Sequence, residues 1–105
     1  MGLKIFWTTF SENELQNIFI YHQEKVSIRI ATEITEKIVN ETNILENNPY
    51  IGPIEDKLID NTKEFRYLIS SNYKIIYWVN NSKNQIEILD VFDCRQEPLK
   101  IKRTK

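Results

Sequence analysis

Between Gly2 and Thr9 the apolar residues Leu3, Ile5 and Trp7 fall on alternate positions, a period-two pattern that predicts a short strand. Ser11-Glu12-Asn13-Glu14 follows and reads as a capping box, in which serine and glutamate satisfy the free amides of an opening helix. Leu15, Ile18, Phe19, His22 and Val26 then recur at helical spacing and form one core stripe. A second helical pattern carries Ile30, Ile34, Ile38 and Leu45 on one face, with Glu33, Glu36, Lys37 and Glu41 towards solvent. It stops before Asn47-Asn48-Pro49, and its break from the first helix falls between Val26 and Arg29. Two amphipathic helices with almost no linker predict an antiparallel hairpin.

Pro49 to Pro53 reads as a turn and Ile54 to Glu64 as an irregular connection. Three strand patterns close the chain at Phe65 to Ser70, Tyr73 to Val79 and Gln85 to Asp93, separated by the short polar segments Ser71-Asn72 and Asn80 to Lys83. Short turns predict an antiparallel meander, with the first strand paired at its edge. The expected fold is therefore α+β in the order β-α-α-β-β-β, with the helical hairpin covering one sheet face.

The side chains on each face follow from the turn. If Ser71-Asn72 is a two-residue turn, Ser70 faces Tyr73, Leu68 faces Ile75 and Arg66 faces Tyr77, all on the helix side. The opposite side then carries Phe65, Tyr67, Ile69, Lys74, Ile76 and Trp78, a lysine among aromatics, which two helices leave open. The last strand fits neither phase alone, since Ile86 and Ile88 alternate with one face and Leu89 and Val91 with the other. A bulge, or burial on both faces, accounts for this.

Composition narrows the class without identifying a reaction. A chain of 105 residues with 41% hydrophobic residues, two glycines and three prolines fits one globular domain over 1–105. It has no apolar run of the length that a membrane span needs and no signal-peptide pattern at its start, so a cytoplasmic location without membrane partners is expected. Cys94 is the only cysteine; no disulfide, metal site or cofactor is expected. The net charge of −1 hides an asymmetry. Residues 1–56 hold four basic residues against nine acidic, and residues 57–105 hold ten against six. Basic residues concentrate in the tail, at Arg95, Lys100, Lys102, Arg103 and Lys105, which suits either a solubilising end or contact with a polyanion or acidic segment.

The order of strand, helical hairpin, Pro49-Tyr50-Ile51-Gly52 and then Phe65-Arg66-Tyr67-Leu68-Ile69-Ser70-Ser71-Asn72-Tyr73-Lys74-Ile75-Ile76-Tyr77-Trp78-Val79 resembles the RelE/ParE superfamily of bacterial type II toxins. The resemblance spans nearly the whole chain. Its most specific part is Arg66 followed by Tyr73-Lys74-Ile75-Ile76-Tyr77, closed by Asp93-Cys94-Arg95-Gln96-Glu97-Pro98. It implies a growth-arrest toxin neutralised by a cognate antitoxin in a toxin–antitoxin hetero-oligomer, while the open aromatic face by itself invites a homodimer. ParE-like members inhibit DNA gyrase. RelE-like members cleave mRNA on the ribosome, where the RNA 2′-hydroxyl attacks and the protein supplies a base, cations and a proton donor.

By the same resemblance, Lys74 stands where arginine is usual, keeping the charge but losing the bidentate fork. Arg95 falls at the second basic position, Asp93 where many members carry histidine, and Glu55 near the base of some ribonucleases. Lys74, Arg95 and Glu55 are thus the catalytic candidates if the chain is an mRNA endoribonuclease. Phe65, Arg66, Tyr67, Trp78 and Asp93 are candidates for binding a target or antitoxin. The lysine substitution and the lack of a late tyrosine or histidine favour the ParE-like gyrase reading; the alternatives are the ribonuclease and an inactive relative that only binds antitoxin. Each candidate also has a plain reading: Arg66 as a cap on backbone carbonyls or a partner of a helix glutamate, His22 as a packed core histidine, Cys94 as an inert thiol, Glu55 and Asp56 as solvated loop residues, and the aromatic face as a protein-covered surface.

Overall fold

The computed structural model describes residues 2–56 and 63–96. The basic tail from Lys100 on and the Glu97-Pro98 end of the motif, with the middle of the Ile54 to Glu64 connection, lie outside the described residues. The order is β1 (Lys4–Trp7), α1 (Thr9–Lys25), α2 (Ile28–Asn43), β2 (Phe65–Ser70), β3 (Tyr73–Asn80) and β4 (Gln85–Asp93). The sheet runs β1-β4-β3-β2; β1 is parallel to β4 and the other pairs are antiparallel. The meander and the edge position of the first strand are as the pattern requires. Their combination gives a mixed sheet, because the chain crosses over the helices before it returns. No helix of the described residues is long and apolar enough to cross a membrane.

The first helix begins earlier than the Ser11 box implies. Thr8 is the N-cap: its hydroxyl accepts the Ser11 amide at 3.1 Å, and the Ser11 hydroxyl donates back to the Thr8 carbonyl at 2.9 Å. Ser11 is fully buried inside this reciprocal pair. The Thr8 amide and hydroxyl also both donate to the Ile88 carbonyl, so one residue ends β1, starts α1 and ties both to β4. The helix ends at Lys25 and the chain turns, so Val26 leaves the core stripe and stands 62% exposed. Ser27 caps α2 by accepting the Ile30 amide.

Ile18, Ile38 and Leu45 press the helical layer onto Ile75, Tyr77, Val79, Ile86, Ile88 and Val91. At 20–33 cal/mol per Å² of apolar surface, this is the main source of stability. The β2–β3 register pairs Arg66 with Tyr77, Leu68 with Ile75 and Ser70 with Tyr73, as the two-residue turn dictates. Ser71 takes the left-handed conformation that such a turn requires, with φ 55°.

The far face is not open. Phe65, Ile76, Leu89 and Phe92 form a second buried cluster, flanked by half-buried Tyr67 and Trp78, and Lys74 is only 7% exposed. Two nonlocal features close it. The β3–β4 register slips between Ile76, which faces Asp90, and Tyr77, which faces Ile88. Leu89 is the extra residue of this bulge, so β4 supplies Ile86, Ile88 and Val91 to one core and Leu89 and Phe92 to the other. In addition, Pro53 to Glu55 lies along β2 as a strap: the Glu55 amide donates to the Phe65 carbonyl at 2.8 Å, the Tyr67 amide to the Pro53 carbonyl at 3.1 Å, and Ile54 bridges Arg66.

Candidate functional site

The strap is built to place one carboxylate. Gly52 sits so close to β2 and β3 that a Cβ there would lie 2.3 Å from the Tyr67 carbonyl oxygen and 2.8 Å from the Tyr77 hydroxyl. Its amide donates to that hydroxyl at 3.0 Å. Arg66 Nη1 donates to the carbonyls of Tyr50 and Gly52 at 3.2 and 2.8 Å, while Nη2 pairs with Glu64 at 2.9 Å. Arg66 thus caps backbone carbonyls, the plain reading of its position. Burial raises the Tyr77 hydroxyl above the usual phenol range, and the Gly52 amide and Arg66 oppose that rise.

With its backbone fixed, Glu55 turns to the far face and meets Lys74, Oε1 to Nζ 2.6 Å, with side chains 5% and 9% exposed. Lys74 Nζ also lies 4.3 Å from the centroid of the Tyr67 ring. Glu55 is therefore a buried ion-pair partner and not a solvated loop residue, whereas its neighbour Asp56 is exposed.

Arg95 lies elsewhere. Tyr73 and Lys74 are consecutive on β3 and point to opposite faces. Asp93 faces Tyr73 across the ladder, on the helix side. Arg95 donates to Asp93 through Nε at 2.9 Å and through its backbone amide at 2.9 Å. The Arg95 hydrogen bonds hold the Asp93 carboxyl below its usual range against the effect of burial. Behind it, Tyr73 Oη and His22 Nε2 share a 2.7 Å hydrogen bond, and Tyr21 meets the imidazole edge-on. Burial, then the charge of Asp93, raises the Tyr73 phenol. His22 is a bonded core-stripe histidine, and its partner Tyr73 is a residue that sequence reasoning missed; the two are 51 positions apart with no local signal linking them.

Of the catalytic candidates, then, Lys74 and Glu55 are brought together, while Arg95 is held by a different carboxylate on the other face. Of the binding candidates, Phe65 is core, Tyr67 stacks on Lys74, and Trp78 is half-buried with Lys63 Nζ 4.8 Å from its ring centroid. No group of three or more His, Cys, Asp or Glu residues among those described could hold a metal ion.

No protein-family profile matches the chain, and no curated protein matches it. Solved structures do. The chromosomal ParDE toxin–antitoxin system of P. aeruginosa aligns with TM-score 0.73 at 16% identity, covering 88% of this chain and 96% of that one. A free-state mutant of the E. coli toxin RelE aligns with TM-score 0.62 at 15% identity, covering 98% of each. The archaeal RelE–RelB complex from Pyrococcus horikoshii OT3 gives 0.60 at 16% identity, over 91% of this chain and 99% of that one. With the strand order, helical hairpin and coverage in agreement, the chain has the fold of the RelE/ParE toxins.

Proposed function

We propose that this chain is the toxin of a type II toxin–antitoxin pair and arrests growth by binding DNA gyrase, neutralised by a cognate antitoxin. The observation that carries this reading is the state of the cationic groups: Lys74 is neutralised by Glu55 inside the far face, and Arg95 by Asp93 at the helix-side rim. A phosphorane-stabilising centre needs cations converging on one point. A gyrase-binding toxin needs no such convergence. The ParDE and RelE–RelB complexes among the structural neighbours support an antitoxin partner. Purified chain in molar excess should inhibit supercoiling by purified gyrase, and unaffected supercoiling would sink the reading. Growth arrest on induction without antitoxin separates it from an inactive antitoxin-binding relative.

The 2.6 Å contact between Glu55 and Lys74 favours a second reading, an mRNA endonuclease in which Glu55 takes the proton of the attacking 2′-hydroxyl and Lys74, with Arg95, stabilises the phosphorane. Primer extension on translated message decides it. Codon-phased cuts that persist in both Lys74→Ala and Arg95→Ala remove these residues from catalysis, and uncut message removes the activity.

A further inference from the structure

At the end of the sheet away from the Ser71-Asn72 turn, Tyr50 just before the strap, Trp78 of β3 and the Asn80 to Ser82 turn enclose a cleft of about 370 Å³. That volume falls within the ~300–1,000 Å³ of small-ligand sites. Trp78 and Lys74 share a face of β3 four residues apart, roughly 13 Å at strand rise, so the cleft is separate from the Glu55–Lys74 pair.

Its walls are two aromatic rings, each already carrying a cation. The Arg66 guanidinium lies 5.2 Å from the Tyr50 ring centroid and the Lys63 ammonium 4.8 Å from that of Trp78. The Tyr50 wall is fixed in advance: Asn81 Nδ2 donates to its hydroxyl at 3.1 Å, and Arg66 holds its carbonyl. Preorganised rings save the ordering cost of binding. The acid at the cleft, Glu64, is paired with Arg66, and Glu87, opposite Trp78 on β4, accepts from the amides of Asn80 and Gln85 at 2.9 Å each. The Asn81 amide and Ser82 hydroxyl line the opening. Two aromatic walls, the Lys63 ammonium and an amide-bearing rim suit a planar heteroaromatic ring that carries an anionic group, while Arg66 is committed to Glu64 and two backbone carbonyls.

We propose that the cleft between Tyr50 and Trp78 binds a nucleobase bearing a phosphate, supplied either by a free nucleotide or by an unpaired position of a nucleic-acid strand. This holds whichever macromolecule the toxin acts on. The test is a titration of the ¹⁵N-labelled chain with AMP, UMP, ribose 5-phosphate and a single-stranded oligo(rA), following the Trp78 indole and Asn81 amide signals. Base-containing ligands should shift both signals, and ribose 5-phosphate should shift neither. Tyr50→Ala, a change at a half-exposed ring, should keep the fold and weaken base binding about tenfold. An oligomer binding far more tightly than AMP identifies a strand as the source; equal affinity identifies a free nucleotide. Equal shifts with ribose 5-phosphate, silence of both signals at millimolar nucleotide, or undiminished affinity in a folded Tyr50→Ala chain would each overturn the assignment.

Discussion

Two ion pairs of the same chemistry sit on opposite faces of one sheet, and burial makes them different objects. Glu55–Lys74 is enclosed, with side chains 5% and 9% exposed, whereas Asp93–Arg95 leaves the guanidinium 72% exposed. In water two such charges attract weakly and are screened by salt. Out of water each has lost its hydration and is held by its protein contacts, the other charge among them. The first pair is therefore a structural commitment that fixes the strap to the far face, and the second is a rim contact that can open at little cost.

Deleting half of the buried pair should have the largest effect. Glu55→Ala leaves the Lys74 ammonium without its carboxylate and should cost ~3–5 kcal/mol, a fall in Tm of more than about 10 °C. Replacing both, Glu55→Met with Lys74→Met, should avoid most of that loss, since an apolar pair of similar volume removes both desolvation costs. A Glu55→Ala chain as stable as wild type would show that the pair is not the dry contact described.

The next effect acts on the strap that delivers Glu55. Gly52→Ala would force a methyl group to 2.3 Å from the Tyr67 carbonyl oxygen, and such overpacking costs ~1–3 kcal/mol. Tyr77→Phe removes the acceptor of the buried Gly52 amide and should cost ~1–3 kcal/mol. Because both loosen the seat of Glu55, each should add less than its own full amount to Glu55→Ala in a double-mutant cycle. Strict additivity would mean that the strap and the ion pair are independent.

How much of this was legible depends on sequence distance. The β2–β3 register follows from alternation and the two residues Ser71 and Asn72, and the conflict of phase at Leu89 marked the bulge. The far face is enclosed although alternation leaves it open, because alternation names the side chains on a face, not what lies over them. Its cover comes from the strap, from Leu89 turned inward by the bulge, and from Phe92, none of which is local to Lys74. For the same reason the sequence could set Glu55 and Lys74 side by side only through a resemblance. The Asp93–Arg95 pair is local, but its face depends on the Tyr73–Asp93 register and could not be known before the sheet was assembled.

Each region also contains a tyrosine whose phenol the fold raises, Tyr77 under the strap and Tyr73 behind Asp93, in both cases chiefly through burial. The neutral phenol is the form that the fold prefers. That stability is fully present below the unfolded value of 10.0 and is lost as pH rises through the higher folded values. Tyr77→Phe should flatten the alkaline limb of a urea-midpoint profile more than Tyr73→Phe, because Tyr77 is fully buried and Tyr73 is 8% exposed. Equal flattening would equate the two environments.

The smallest effect belongs to the exposed pair, and pH gives its sign. Arg95 lowers the Asp93 carboxyl below its unfolded 3.8, so the pair's contribution is present above pH ~4 and is lost as pH falls through the depressed folded value. Arg95→Ala should therefore lower the urea midpoint slightly at pH 7, and the gap to wild type should close as pH falls below ~4. Raising salt at pH 7 should close it as well, because the guanidinium stands in solvent and its attraction is screened. The buried pair should ignore the same salt, since no ions enter between Lys74 and Glu55. If Arg95→Ala instead lowered stability by an amount that neither acid nor salt removed, Arg95 would be acting through packing, and the contrast between the two faces would rest on shape and not on hydration.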